Sequence, residues 1–430
     1  MEAKYQVPRG TFDLLDEDIL IWKKVEDVIR QTCALYGYEE IRTPIFEATE
    51  VFKGENDSSD MVNKEMYTFT DNGNRSLTLR PEGTKGVIRA FVEHKLFGNA
   101  ADLPKKLFYI GPMFRYDRPQ KGRYRQFHQF GVEAIGANDP LLDVETIALG
   151  CQIARSLGIK NLKVLINSLG DKESRQAYRK VLTDYFTPHL DDLCEDCHRR
   201  LKQNPLRVLD CKVDRDKDFF KKAPNMADYL NEPSQKYFAS VLQGLKDLGI
   251  EYEIDPHLVR GLDYYTNTVF EVVPLDDNGQ QATVFAGGQY DGLVESFGGG
   301  PLCGVGFGMG LERLIALMKE QNEDLVSKPA NDVYVIAIGD VDDYGLLIAQ
   351  KLRYLGCSVL LDYNHRGMKG QFKAAERSSS RLIIIVGEDE KNAQMVTIKN
   401  SATKQQVTVS LAELEKTVEN MLKNGGEGNE

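Results

Sequence analysis

Several things are scarce in this 430-residue chain, and each scarcity removes a class of function. Lys and Arg number 54 against 65 Asp and Glu, a formal charge of −11, so no overall basic field draws in nucleic acid. Any polyanion must be met by local patches. The seven cysteines are scattered, without the dense, even spacing of a disulfide framework, which points to a reducing compartment. No apolar run approaches the ~20 residues of a membrane span. The polar opening MEAKYQVPRGTFDLLDEDI has no apolar core of signal-peptide length. These features predict a cytoplasmic protein with no membrane association. The dipeptide Gly-Lys is absent, which excludes a P-loop, and no repeat of fixed period recurs. A dinucleotide fingerprint fails as well, because Met309 and Leu311 stand where GxGxxG needs glycine.

With 42% hydrophobic and 28% charged residues, the composition is that of a soluble globular chain, long enough for two or three domains. One local concentration of cations lies in the stretch Leu107–Gly136. Two apolar segments, Leu107–Phe114 and Phe127–Ile135, are rich in aromatic and β-branched residues and predict an antiparallel hairpin. The loop between them, Arg115 to Gln126, sets Arg115, Arg118, Lys121, Arg123 and Arg125 against one acid, Asp117. Like charges repel unless an anion sits among them, and guanidinium forks match phosphate oxygens, so the tip reads as an anion clamp.

Around this hairpin, Ile19, Trp22, Val25, Ile29 and Cys33 predict a helix over Asp18–Leu35. GYEEIRTPIFEATEVF reads as a strand that Pro44 confines to an edge or an interface. EMYTFTDNGNRSLTLRPEGT predicts a hairpin turning at Asn72-Gly73 and ending with Arg80, Glu82 and Thr84 on one side. Helices are expected over 84–96 and 143–157, then a buried strand, LKVLINSLG. Residues 171–250 are charged and mainly helical, an insertion into the main domain. Strand patterning resumes in YEIDPHLVRGLDYYTNTVFEVV and ATVFAGGQYDGL. Gly304, Gly306, Gly308 and Gly310 then leave one strand face bare, so that a ligand or a backbone can approach, and a helix carrying Arg313 follows. The polar run 319–332 reads as a linker. Beyond it, DVYVIAIG, CSVLLDY and RLIIIVG alternate with helices at 342–356 and 367–379, a small α/β domain with a mostly parallel sheet. KNGGEGNE reads as a frayed tail.

Two further groups stand out. Cys194 and Cys197 have C-x2-C zinc spacing, with His198 beside them, but Cys211 has no paired ligand after it; structural thiols without a metal are expected. Lys369, Lys373, Arg377 and Arg381 recur every four residues beside Glu376, a cationic helix face suited to a phosphate backbone or simply solvated.

The pieces resemble, in order, the class II aminoacyl-tRNA synthetases. YGYEEIRTPIFE, containing Pro44, is similar to their first motif, FRYDRPQKGRYRQFHQFGVE to the second and GVGFGMGLERL to the third. LVRGLDYYTNTVFEV (258–272) and FAGGQYDGL (285–293) resemble two peptides peculiar to histidyl-tRNA synthetases. With TLRPEGT and RPQKGRYRQFHQ, the resemblance to the bacterial type covers essentially the whole chain. It implies an α+β fold: a class II core over 1–325, built on an antiparallel sheet flanked by helices and interrupted by the 171–250 insertion, then an α/β anticodon-binding domain over 331–430. It further implies a homodimer joined through the first motif. The implied activity is ligation of L-histidine to tRNA(His): activation by ATP, with accompanying Mg2+, to histidyl-adenylate, then transfer to the tRNA 3′ end.

Residue by residue, the resemblance places Arg115 at the α-phosphate and Arg313 at the γ-phosphate. Arg123 helps in the phosphate region, and Arg260 acts near the α-phosphate, where relatives place a metal. Glu133 and Tyr265 fall at the imidazole, and Glu82, Thr84 and Gln129 at the α-amino group. Tyr264 and Tyr265, adjacent in a strand, should point to opposite faces; the family match selects Tyr265, which periodicity alone does not. Such a polar pocket rejects apolar amino acids, which would leave its groups unpaired. Lys369, Lys373 and Arg377 fall to tRNA. The rival reading is a non-catalytic, histidine-sensing regulatory relative. Such relatives lack the anticodon domain and degrade the catalytic arginines, whereas Arg115, Arg260, Arg313 and residues 331–430 are all present here.

Overall fold

The cationic hairpin lies within an eight-stranded sheet. The computed structural model describes residues 4–54, 59, 61–120, 122–211, 213–275, 283–322, 325–326 and 330–424. Lys121 and the end of the expected tail lie outside them. The chain divides into two units, Met1–Val326 and Ser327–Glu430. In the first, the strands are β1 (Glu39–Glu40), β2 (Phe46–Ala48), β3 (Tyr67–Thr70), β4 (Ser76–Leu79), β5 (Lys105–Phe114) and β6 (Gln126–Ile135). They continue with β7 (Leu162–Ser168), β8 (Tyr252–Ile254), β9 (Tyr265–Pro274), β10 (Phe285–Tyr290) and β11 (Gly304–Gly310). The large sheet runs β1-β5-β6-β11-β10-β9-β7-β8 and is antiparallel except for its outermost pairs, β1 with β5 and β7 with β8. The strand expected around Pro44 splits in two. β1 joins the large sheet and β2 a separate sheet, β2-β4-β3. Proline has no N–H to give a ladder, so the chain changes sheets there.

Side chains pointing to one face of the large sheet meet helices. Phe130, Val132, Phe270, Phe285 and Phe307 pack with Trp22, Val25 and Ile29 of helix Asp16–Leu35, Ile147 and Ile153 of helix Pro140–Ser156, and Leu314 and Met318 of helix Leu311–Gln321. The 171–250 stretch is shared between two cores. Its early helices, through Tyr178, Leu182, Phe186 and Leu201, cover Val269 and Val273 of β9. Its last helix, Glu232–Asp247, joins the main core through Val241 and Leu245. One end of the second face is thereby walled, and Val87, Ile88 and Phe91 of helix Thr84–Glu93 cover Leu107 and Tyr109 of β5 towards the other end. Among the described residues, no helix is long and apolar enough to cross a membrane.

The second unit contains β12 (Val333–Ala337), β13 (Val359–Leu361), β14 (Leu382–Val386), β15 (Met395–Asn400) and β16 (Gln406–Ser410), in the order β13-β12-β14-β15-β16. The expected parallel part is β13-β12-β14. The antiparallel pair β15-β16 is an addition that the sequence reading lacked. β16 is largely exposed, so its polar composition masks its alternation.

Candidate active site

The register of β11 explains its glycines. Gly306 lies opposite Glu133 of β6 and Gly310 opposite Gln129, while Gly304 pairs with Tyr290 of β10. A methyl group on Gly306 would overlap Glu133 Oε2 and the Val132 carbonyl; on Gly308 it would meet the Gln129 amide, and on Gly304 the Tyr290 ring. The bare face is therefore filled by polar side chains from neighbouring strands, laid flat over the glycines. Gly306→Ala is expected to lower unfolding free energy by about 1–3 kcal/mol, since backbone as well as side chain must shift. Denaturant titration measures this.

Glu133 is 1% exposed and accepts hydrogen bonds from the Thr84 hydroxyl (2.7 Å) and the Tyr290 hydroxyl (2.8 Å). Burial pushes its carboxyl up to about 8, against the pull of those two donors, and nearby Glu82 adds to the rise. Glu82 is also buried, and it accepts the amide N–H groups of Thr84 (2.7 Å) and Lys85 (2.9 Å). Its carboxylate therefore satisfies donors at the start of helix Thr84–Glu93, where the helix dipole favours negative charge. The Tyr109 hydroxyl approaches Gln129 Oε1 (3.5 Å). Gln129 and Glu133, four apart on β6, share a face as alternation requires.

The two adjacent tyrosines depart from the expectation of opposite faces. β9 begins at Tyr265, so Tyr264 precedes the strand and strand alternation does not govern it. Their ring centroids are 4.7 Å apart, and the Tyr264 ring is 5.9 Å from that of Tyr290. Burial pushes Tyr265 up to about 12, with Arg260 opposing the rise. Both rings thus border the Glu133 pocket.

At the hairpin tip, Arg115 continues the ladder by donating its N–H to the Arg125 carbonyl (2.9 Å). Its Nε donates to the Pro81 carbonyl (2.8 Å), and its guanidinium sits 5.2 Å from the Phe127 ring centre. Arg123 pairs with Asp117 (2.9 Å). Arg313 Nε reaches the carbonyl of Gly122 (3.4 Å), a residue whose φ of +74° closes the tip turn. Burial, and then the Arg123 cation, hold Arg313 below its ordinary value, with Arg115 adding to the effect. Arg115 and Arg313 are thus desolvated cations with Arg123 close by, an arrangement that an anion relieves.

Arg260 forms an ion pair with Glu271 of β9, which also accepts from the Thr283 hydroxyl (2.9 Å). Arg260 Nε is buried without a partner among the described residues. The Arg260 loop is held by the inserted stretch: Arg207 donates to the Gly261 carbonyl (3.1 Å) and Asn204 to Asp263 Oδ1 (2.9 Å).

Some expected site residues stand elsewhere. Arg80 does not face the pocket with Glu82 and Thr84; it ties the Pro112 (2.8 Å) and Thr43 (3.0 Å) carbonyls together. Arg125 stacks 4.1 Å from the Tyr116 ring centre, and Arg118 is exposed. Lys369, Lys373 and Arg377 are exposed on helix Met368–Arg377 of the second unit. Arg381 leaves this stripe, because it lies beyond the helix and pairs with Asp332 (3.6 Å) and the Leu422 carbonyl. Tyr290 and Tyr109 were missed as pocket residues. Tyr290 was within reach of the alternation rule, being two residues from Gly288 on a glycine-rich strand. The cysteines gather around a carboxylate rather than His198, whose ring nitrogen instead lies 2.6 Å from the Leu190 carbonyl.

A histidyl-tRNA synthetase family model matches residues 10–314 and an anticodon-binding domain model matches residues 332–421. The histidine–tRNA ligase of Bacillus licheniformis is 52% identical over 410 residues, covering 95% of this chain and 96% of that protein. The histidine–tRNA ligase of Bacillus subtilis is 50% identical over 412 residues, covering 95% and 97%. The crystal structure of apo S. aureus histidyl-tRNA synthetase matches with a TM-score of 0.81 at 40% identity, covering 96% of this chain and 99% of that one. With its glycine strand, arginine hairpin and second unit all in these matches, the chain belongs to the histidyl-tRNA synthetase family.

Proposed function

We propose that this chain ligates histidine to tRNA(His) on the open face of β6, β9, β10 and β11. The observation that carries this reading is one hairpin with two kinds of site: a buried, doubly hydrogen-bonded Glu133 on its returning strand, and Arg115 and Arg123 at its tip, where Arg313 of the helix after β11 reaches the tip carbonyl of Gly122. In the first step the histidine carboxylate attacks the α-phosphorus of ATP and pyrophosphate leaves. In the second, a ribose hydroxyl at the tRNA 3′ end attacks the acyl carbon of the adenylate and AMP leaves. The imidazole lies against Glu133 and Tyr265, with Tyr264 beside them, and the α-ammonium is met by Glu82, Thr84 and Gln129. Arg115 grips the α-phosphate, Arg313 the γ-phosphate, and Arg123 the phosphate region between strand and helix. Arg260 stabilises charge that builds on the α-phosphate, where a fixed cation away from water acts most strongly. Mg2+ arrives on the triphosphate as part of the substrate. A histidine sensor without activity would need the carboxylate pocket but neither these arginines nor the second unit.

Incubation with ATP, labelled histidine and tRNA(His) is expected to yield a base-labile histidyl ester on the tRNA. ATP turnover without any ester would contradict the reading.

The second unit is assigned to tRNA through Lys369, Lys373 and Arg377, which face solvent together. Lys369→Gln with Lys373→Gln should weaken tRNA binding and flatten the plot of log affinity against log salt by about 1.5, the loss of two phosphate contacts. Pyrophosphate exchange without tRNA should not change. An unaltered salt slope returns the stripe to a solvated face.

Dimerisation is assigned to the first-motif region, where Ile45, Phe46 and Phe69 stay 45%, 51% and 44% exposed and the two phenylalanine rings touch edge to face. Phe46→Asp is expected to turn a dimer into monomers in sedimentation velocity. A cytoplasmic location follows from the substrate, tRNA, and suits seven cysteines that are all free.

A further inference from the structure

The inserted stretch holds a set of ligand atoms that ligation leaves unused. The Sγ atoms of Cys194, Cys197 and Cys211 and a carboxylate oxygen of Asp214 all lie within 4.8 Å of one another, and every one of these residues except Cys194 is buried. Cys194 Sγ is 3.7 Å from Cys211 Sγ, and Cys211 Sγ is 3.5 Å from Asp214 Oδ2. A tetrahedral zinc ion, with bonds of about 2.3 Å to sulfur and about 2.0 Å to oxygen, sets its ligands about 3.8 Å apart for S···S and about 3.5 Å for S···O. The match is close. We propose that Cys194, Cys197, Cys211 and Asp214 form a structural site for a thiophilic divalent cation, zinc by its chemistry.

The sequence supplies two half-sites with the same step, C-x2-C at 194–197 and C-x2-D at 211–214. Cys194 stands immediately before helix Glu195–Gln203 and Cys197 in its first turn. Neighbouring donors orient the ligands, as in protein metal sites generally. The Asp214 N–H points to Cys211 Sγ (3.3 Å), and the Cys194 N–H donates to Asp214 Oδ2 (2.9 Å). Lys217 Nζ lies 2.9 Å from Asp214 Oδ1 and offsets part of the negative charge of three thiolates and a carboxylate. Three soft sulfurs and one oxygen in a closed, four-ligand set select zinc over Mg2+ or Ca2+ and mark the site as structural rather than catalytic. A disulfide is the competing use of these thiols, but it would strand the third thiol against a buried carboxylate. Between the half-sites lie Asn204 and Arg207, the residues that hold the loop carrying Arg260. The ion would thus brace the wall of the histidine pocket.

The test uses the full chain purified from zinc-supplied cells. About one zinc per chain is expected by mass spectrometry of metals, falling to near zero in Cys197→Ser and in Cys211→Ser. Because those variants risk misfolding, cobalt is also loaded into the wild type and into Asp214→Cys. Wild type should show thiolate-to-cobalt charge transfer and the intense ligand-field bands of tetrahedral cobalt, and Asp214→Cys should strengthen the charge-transfer bands. Far less than one zinc in well-folded wild type, a disulfide among the three cysteines, or cobalt bands unmoved by Asp214→Cys would overturn the assignment.

Discussion

Replacing Arg260 with glutamine is expected to cut histidine-dependent exchange of pyrophosphate into ATP by about 10²–10³-fold or more, the scale of losing one preorganised charge at a reacting centre. The fall should lie in kcat rather than in either KM, because charge on the α-phosphate grows only as the carboxylate attacks. Arg260 also pairs with Glu271, and its removal leaves that carboxylate, among the described residues, with the Thr283 hydroxyl as its hydrogen-bond donor. Some stability will be lost, which by itself would mimic a catalytic defect. Changing Glu271→Gln as well removes the stranded charge. The double variant should regain thermal stability and remain inactive. Exchange within a few-fold of wild type in either variant refutes the role of Arg260.

Glu133→Gln should lower kcat/KM for histidine about 10³-fold, near 4 kcal/mol of transition-state binding, while KM for ATP changes little. The shape is conserved, but two hydroxyl donors, Thr84 and Tyr290, now face a group with only one accepting atom. One buried hydroxyl loses its acceptor, and the imidazole loses a carboxylate. The same substitution has a signature in the ligand-free protein. Burial raises Glu133 from 4.5 to about 8, so the native state holds a proton there that the unfolded chain releases above about 4.5. Its contribution to stability is complete below about 4.5 and is lost as pH rises through about 8. Glu133→Gln should flatten that decline in urea midpoints measured from pH 5 to 8. A slope equal to that of wild type would place Glu133 outside the buried environment described.

The backbone of the site was legible because its signals are periodic. Apolar and β-branched flanks became β5 and β6 within a few residues, and the glycine alternation became β11. Which side chains fill the bare glycine face was not legible. That depends on register across three strands, so Glu133 over Gly306 is visible only after folding. Tyr264 was misread because the rule of opposite faces holds only inside a strand, and β9 starts one residue later. β16 was lost to its exposed, polar composition. The partner of Cys211 was hidden differently, since a search for paired Cys and His passes over Asp214. Individual roles, such as the separate phosphates assigned to Arg115 and Arg313, come from the family likeness and from no periodicity.

The most direct test of the whole account is pyrophosphate exchange into ATP by the full chain, run with each amino acid in turn and without tRNA. The account predicts exchange that depends on histidine, with apolar amino acids near background. Histidine binding without any exchange, from protein that is folded and dimeric, would contradict it and leave a histidine sensor in its place.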